Sequence, residues 1–89
     1  MKNNYPNSKN ELLKRLSKNL YNIMMEEGVT PYDIARVTSI KTSSTYDYMY
    51  GERLPNTYNL CILANYFECS VEDLLSENGV KKKTYRTLR

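Results

Sequence analysis

The chain has no histidine, only two cysteines and only three glycines among its 89 residues. Without an imidazole there is no Ser-His or Cys-His pair, so hydrolase chemistry of that kind is excluded. Cys61 and Cys69 without histidine make a poor zinc site. They read instead as free thiols in or near the core of a protein from a reducing compartment. No apolar run approaches the roughly 18–20 residues of a membrane span. The opening "MKNNYPNSKN" lacks the apolar h-region of a signal peptide. These absences set the expectation of a cytoplasmic protein that does not act on a membrane. There is no internal repeat, no Gly/Ser linker and no catalytic constellation, so neither an enzyme nor a cofactor is expected.

Eighty-nine residues make one domain with a small core. The net charge of +3 is unevenly spread. Residues 1–27, 28–55, 56–78 and 79–89 carry +2, 0, −4 and +5. Basicity sits at the two ends, and the middle is neutral to acidic. A partner inferred from the overall pI alone would therefore be poorly founded.

Residues 1–10 read as a flexible polar arm. From Glu11 the pattern changes. Leu13, Leu16, Leu20, Ile23 and Met24 recur at three- and four-residue steps, the signature of an amphipathic helix, and Gly28 is a natural C-cap. Thr30-Pro-Tyr-Asp33 opens a second, short helix: Thr30 caps, Pro31 suits the first position, and Asp33 favours the positive end. Ile34 and Ala35 face inward, Thr38-Ser39 interrupts, and Ile40 is the next apolar anchor. Asn56 caps a further helix with Leu60, Leu63, Ala64 and Phe67 inside. Ser70-Val-Glu-Asp73 is a capping-box-like start for a last helix through Leu75. Residues 11–78 form the domain, and 79–89 form a basic tail.

Between these lies Ser44 to Pro55, "STYDYMYGERLP". Tyr46, Tyr48 and Tyr50 alternate with Asp47 and Met49, and period two marks a strand. On a helix, Thr45, Tyr48 and Met49 share one face, while Tyr46 and Tyr50 share another. A strand needs a pairing partner, and nothing else in the chain alternates. The spacing therefore predicts a helix from about 42 to 50, with Tyr48 inside and Tyr46 outside. The whole chain reads as all-α, five helices joined by short turns.

The ordered set of motifs resembles the lambda-repressor-like helix-turn-helix domains of the XRE family over about residues 13–76. The matching pieces are Ile34-Ala35, the turn ending in Ser39-Ile40, and the helix from Lys41 to Tyr50. Gly51-Glu-Arg53-Leu-Pro55 follows, in the place of G-x-R-x-P. Then come Leu60 with Leu63-Ala64 and Phe67, and Cys69-Ser70-Val-Glu-Asp-Leu-Leu75. Two departures stand out. Ser39 stands where the family often has glycine, at a backbone cost if φ is positive. Met24 and Met49 stand where the family often has an arginine and its glutamate partner. An apolar pair can replace a buried ion pair at little cost, so Met24 is expected to touch Met49.

The resemblance implies a compact five-helix DNA-binding domain that lays its 42–50 helix in the major groove. It puts Thr42, Ser43, Ser44, Tyr46 and Asp47 toward base edges. It puts Thr30, Lys41, Tyr50, Arg53 and Asn56 toward phosphates. Lys81, Lys82, Lys83, Arg86 and Arg89 can track the backbone or simply be solvated. The function implied is a sequence-specific transcriptional regulator, most readily a repressor, acting on double-stranded DNA as a homodimer. The alternative is a protein-interaction module of antitoxin or anti-repressor type that keeps the fold. The acidic 56–78 segment favours that alternative; the "TSSTY" cluster with Arg53 favours the regulator.

Overall fold

A computed structural model describes residues 8–80. Among them are five helices and no strand: α1 (Lys9–Glu27), α2 (Pro31–Val37), α3 (Thr42–Met49), α4 (Thr57–Tyr66) and α5 (Val71–Leu75). The ambiguous tyrosine stretch is helical. None of the helices is long and apolar enough to cross a membrane.

Helix α1 begins earlier than its hydrophobic period. The Ser8 hydroxyl accepts the Glu11 N–H at 3.1 Å, and Glu11 pairs with Arg15 at 3.0 Å one turn on. The expected arm of residues 1–10 is therefore shortened, since Lys9 and Asn10 are helical; residues 1–7 lie outside the described residues. At the other end, Gly28 takes a left-handed φ of 65°. The N–H groups of Gly28 and Val29 then reach the Met25 and Met24 carbonyls. This closes the helix with two of its orphan acceptors satisfied.

Thr30 and Asp33 form a reciprocal capping box at the start of α2. The helix stops at Thr38, whose hydroxyl donates to the Ile34 carbonyl at 2.8 Å and accepts the Ile40 N–H at 3.1 Å. One side chain thus ends α2 and shapes the turn into α3. Among the described non-glycine residues only Glu68 has positive φ. Ser39 therefore carries none of the backbone cost its position suggested. Asn56 caps α4 through the Asn59 N–H at 2.7 Å, and Ser70 with Asp73 forms a second capping box on α5.

The core joins Leu16, Leu20, Ile23 and Met24 of α1 to Ile34 and Ile40, to Tyr48 and Met49 of α3, and to Leu63, Ala64, Phe67 and Leu74. Each fully buried Leu, Ile or Phe contributes roughly 1.5–3 kcal/mol, against about 1 kcal/mol for a cap. Packing therefore makes the helices form, and caps decide where they begin. α3 packs on both α1 and α2, while α5 packs on α1 and α4. Met24 of α1 and Met49 of α3 both lie in this core.

Two positions depart from expectation. Cys61 is exposed, on the outer side of α4, whereas Cys69 is half-buried against the core; neither forms a disulfide. The tail does not start at residue 79, because Val80 packs on the core and Gly79 lies beside Asn19. The remaining tail residues, 81–89, lie outside the described residues.

Candidate nucleic-acid interface

Burial divides α3 lengthwise. Thr45, Tyr48 and Met49 are buried, whereas Ser43, Tyr46 and Tyr50 are exposed and Thr42, Ser44 and Asp47 are half-buried. The polar cluster therefore lines the outer side of a helix whose inner side is anchored in the core. Tyr48 is fixed at both ends. Its ring is buried, and its hydroxyl oxygen accepts from Asn59 Nδ2 of α4 at 3.0 Å. That bond holds α3 to α4 and satisfies the one polar atom of a buried aromatic.

The start of α3 differs from the other four helices. Lys41 occupies the N-cap and makes no side-chain cap bond. Ser8, Thr30, Asn56 and Ser70 all accept a backbone N–H at the corresponding places. The first turn of α3 also contains no acid. Its N-terminal N–H groups and positive dipole end are thus left to an outside acceptor, with the exposed Lys41 beside them.

Arg53, in the loop after α3, folds back along the helix. Its Nε donates to Asp47 Oδ2 at 3.0 Å and its Nη2 donates to Ser44 Oγ at 2.9 Å. The guanidinium carbon lies 5.3 Å from the centre of the Tyr48 ring, a cation–π distance. Ser44, Asp47 and Tyr48 are spaced i, i+3, i+4, so one guanidinium spans a single stripe of α3. The Asp47 carboxylate, followed by weaker help from Tyr48, raises the Arg53 pKa above the ordinary arginine value. This fork brings together two residues expected at bases and one expected at phosphates. In doing so it neutralises the only acid on the outer side of α3.

The other expected contacts are more dispersed. Tyr46 stacks on Tyr50, with ring centres 6.1 Å apart. Tyr50 in turn meets Tyr21 of α1 at 6.4 Å. Tyr21 was not among the expected contacts; it follows Leu20 directly on α1, and nothing in its local pattern ties it to α3. Thr30 is already engaged, its N–H donating to Asp33 Oδ2 at 2.8 Å and its hydroxyl accepting the Asp33 N–H at 3.2 Å. The Asp33 carboxylate occupies the dipole end of α2 where a phosphate was expected. Those two bonds from Thr30, with Arg36 adding less, lower the Asp33 pKa. The Asn56 side chain gives its Oδ1 to the α4 cap, which leaves its Nδ2 as the group able to donate outward.

No three acidic or cysteine side chains among the described residues come together as a metal site. Comparisons with protein-family models, with curated proteins and with solved structures give no match.

Proposed function

We propose that the chain is a sequence-specific regulator that binds double-stranded DNA through a lambda-repressor-like helix-turn-helix made of α2, the Thr38–Ile40 turn and α3. The observation that carries this reading is the two-sided character of α3. Its inner side is locked by Thr45, Tyr48 and Met49. Its outer side offers hydroxyls, a carboxylate and a guanidinium, all groups that bond to base edges. The uncapped N-terminus beside Lys41 adds support, because in such motifs that end approaches the duplex. A homodimer follows from the reading, since an eight-residue helix spans only part of an operator and paired half-sites multiply affinity. Repression is the simplest action for a domain that occupies DNA.

A protein-interaction role has one observation in its favour. Val37, Thr38, Ser39, Tyr58, Ile62 and Tyr66 border a groove of about 420 Å³, and Val37 and Tyr58 are well exposed. Exposed apolar and aromatic surface is common at partner sites.

The deciding experiment is selection from a random double-stranded DNA library by the purified full chain, followed by titrations at two salt concentrations. The regulator reading expects an enriched motif bound far more tightly than scrambled DNA. Binding of every sequence only in the nonspecific range, Kd about 10⁻⁴–10⁻⁶ M at physiological salt, would overturn it. The groove would then be the first surface to test.

A further inference from the structure

Arg53 enters the DNA reading most simply as a phosphate contact, since it lies in a loop beside α3. The geometry supports a more specific role. Its Nε–H and one Nη2–H are taken by Asp47 and Ser44. Arginine has five N–H donors in a rigid plane. The two terminal nitrogens still hold three N–H groups, and these form an end-on fork. The Arg53 side chain remains about half exposed, which leaves room for a ligand to approach.

An exposed arginine in a loop ordinarily samples many rotamers, and ordering it costs entropy. Here two hydrogen bonds and the Tyr48 ring hold the plane to one stripe of α3. The stripe is that of Ser44 and Asp47, which the DNA reading turns toward base edges. Resting on that reading, we propose that Arg53 reads a guanine in the major groove, with Asp47 and Ser44 as its positioning residues. Guanine O6 and N7 are adjacent acceptors that match a bidentate guanidinium. Asp47 then has no need to contact a base itself. It holds the fork, and the guanidinium in turn cancels the carboxylate charge that would repel the duplex.

The two roles separate experimentally. A phosphate contact is the same at every base step, whereas a base contact is not. The test is base preference, position by position, for the full-length chain and its variants against a randomised double-stranded library. The wild type should prefer guanine at one position by about 5- to 150-fold, the range for one good bidentate pair. Arg53→Lys keeps the charge and loses the fork. It should weaken that preference, since an ammonium can still donate to O6 or N7 but not as a rigid plane. Affinity for scrambled DNA should change by no more than about twofold, as the charge available to phosphates is retained. Arg53→Ala should erase the preference. Asp47→Asn should weaken the preference at the same position yet strengthen binding to scrambled DNA, because a negative charge is gone. Loss of the charge alone would strengthen binding to all sequences and leave the preference as it is, so the weakened preference is the readout of positioning. Ser44→Ala should weaken the preference, and Ser44→Thr should restore it. If Arg53→Ala keeps the guanine preference and weakens all sequences alike, Arg53 is a phosphate contact: the proposal falls and the DNA reading stands. If the wild type enriches no sequence, both fall.

Discussion

At the residue scale, Asn19, a polar residue on the buried side of α1, ties that helix to the end of α5. Its Nδ2 lies 2.8 Å from the Leu74 carbonyl, 2.7 Å from that of Ser76 and 3.4 Å from that of Asp73. The Asp73 and Ser76 carbonyls also accept the Ser76 and Gly79 N–H groups. The Leu74 carbonyl at the end of α5 is therefore the one that relies on Asn19, which acts as a C-cap supplied from another helix. Asn19→Ala would leave the buried Leu74 carbonyl without its donor, and the expected loss is roughly 1–3 kcal/mol, read from urea denaturation. A loss no larger than that of a surface substitution, about 0.5 kcal/mol, would mean that water replaces the amide. Asp33 gives a pH-dependent counterpart on the exposed side. The Thr30 bonds lower its pKa in the folded chain. A carboxylate with a depressed folded pKa adds stability above its unfolded value, and that stability is lost as pH falls through the folded value. The wild type should therefore lose stability in acid more steeply than Asp33→Asn, in denaturation midpoints measured down the acid limb. Equal slopes would show that the capping box does not hold in solution.

At the scale of elements, α1 and α3 each place a methionine in the shared core, at the two positions where the resemblance puts an ion pair. Met24 is almost fully buried and Met49 nearly so. Met49→Glu should bury a charge without a partner and cost about 3–5 kcal/mol. Adding Met24→Arg should recover part of that loss. Thermal or urea unfolding of the two single variants and the double variant checks it, and simple additivity of the two losses would mean that the side chains do not meet. The helices themselves were legible because their apolar spacing and caps agree: Thr30, Asn56 and Ser70 cap where sequence reasoning put them. The helix stops were only partly legible. α1, α3 and α4 all end in the same way. A residue with positive φ follows the helix, and the next N–H reaches back five residues: Val29 to Met24, Glu52 to Asp47, Cys69 to Ala64. Glycine advertises that turn at positions 28 and 51. Glu68 makes it at φ 57° with no such sign, because tertiary packing overrides a local preference of about 1–2 kcal/mol. The candidate site was legible as a set of residue types on one helix. The Arg53 fork was not, because a loop side chain folding back over nine residues leaves no periodic trace. Asn19 escaped for the same reason, its partners lying more than fifty residues away.

At the scale of the whole molecule, the electrostatics split the work of binding. Residues 8–80 carry seven Lys/Arg against ten Asp/Glu, a net −3. Lys2, Lys81, Lys82, Lys83, Arg86 and Arg89 bring the whole chain to +3. DNA affinity common to all sequences comes from neutralised phosphates and released counterions, and an acidic body cannot supply much of it. α3 with its fork can discriminate among bases, but discrimination is a difference between sequences and does not itself hold the duplex. On the DNA reading, then, the terminal bases supply grip and α3 supplies choice. Replacing Lys81, Lys82, Lys83, Arg86 and Arg89 by Gln in the full chain tests this division. Binding to selected and scrambled DNA should weaken by the same factor, and the log–log salt slope should fall by roughly 0.9 for each phosphate no longer neutralised. The order of base preferences should stay as in the wild type. A changed preference would mean that the tail reaches a groove and reads it. An unchanged slope would mean that the tail is a solvated segment, and that the seven bases of residues 8–80 must neutralise the phosphates despite the acids around them.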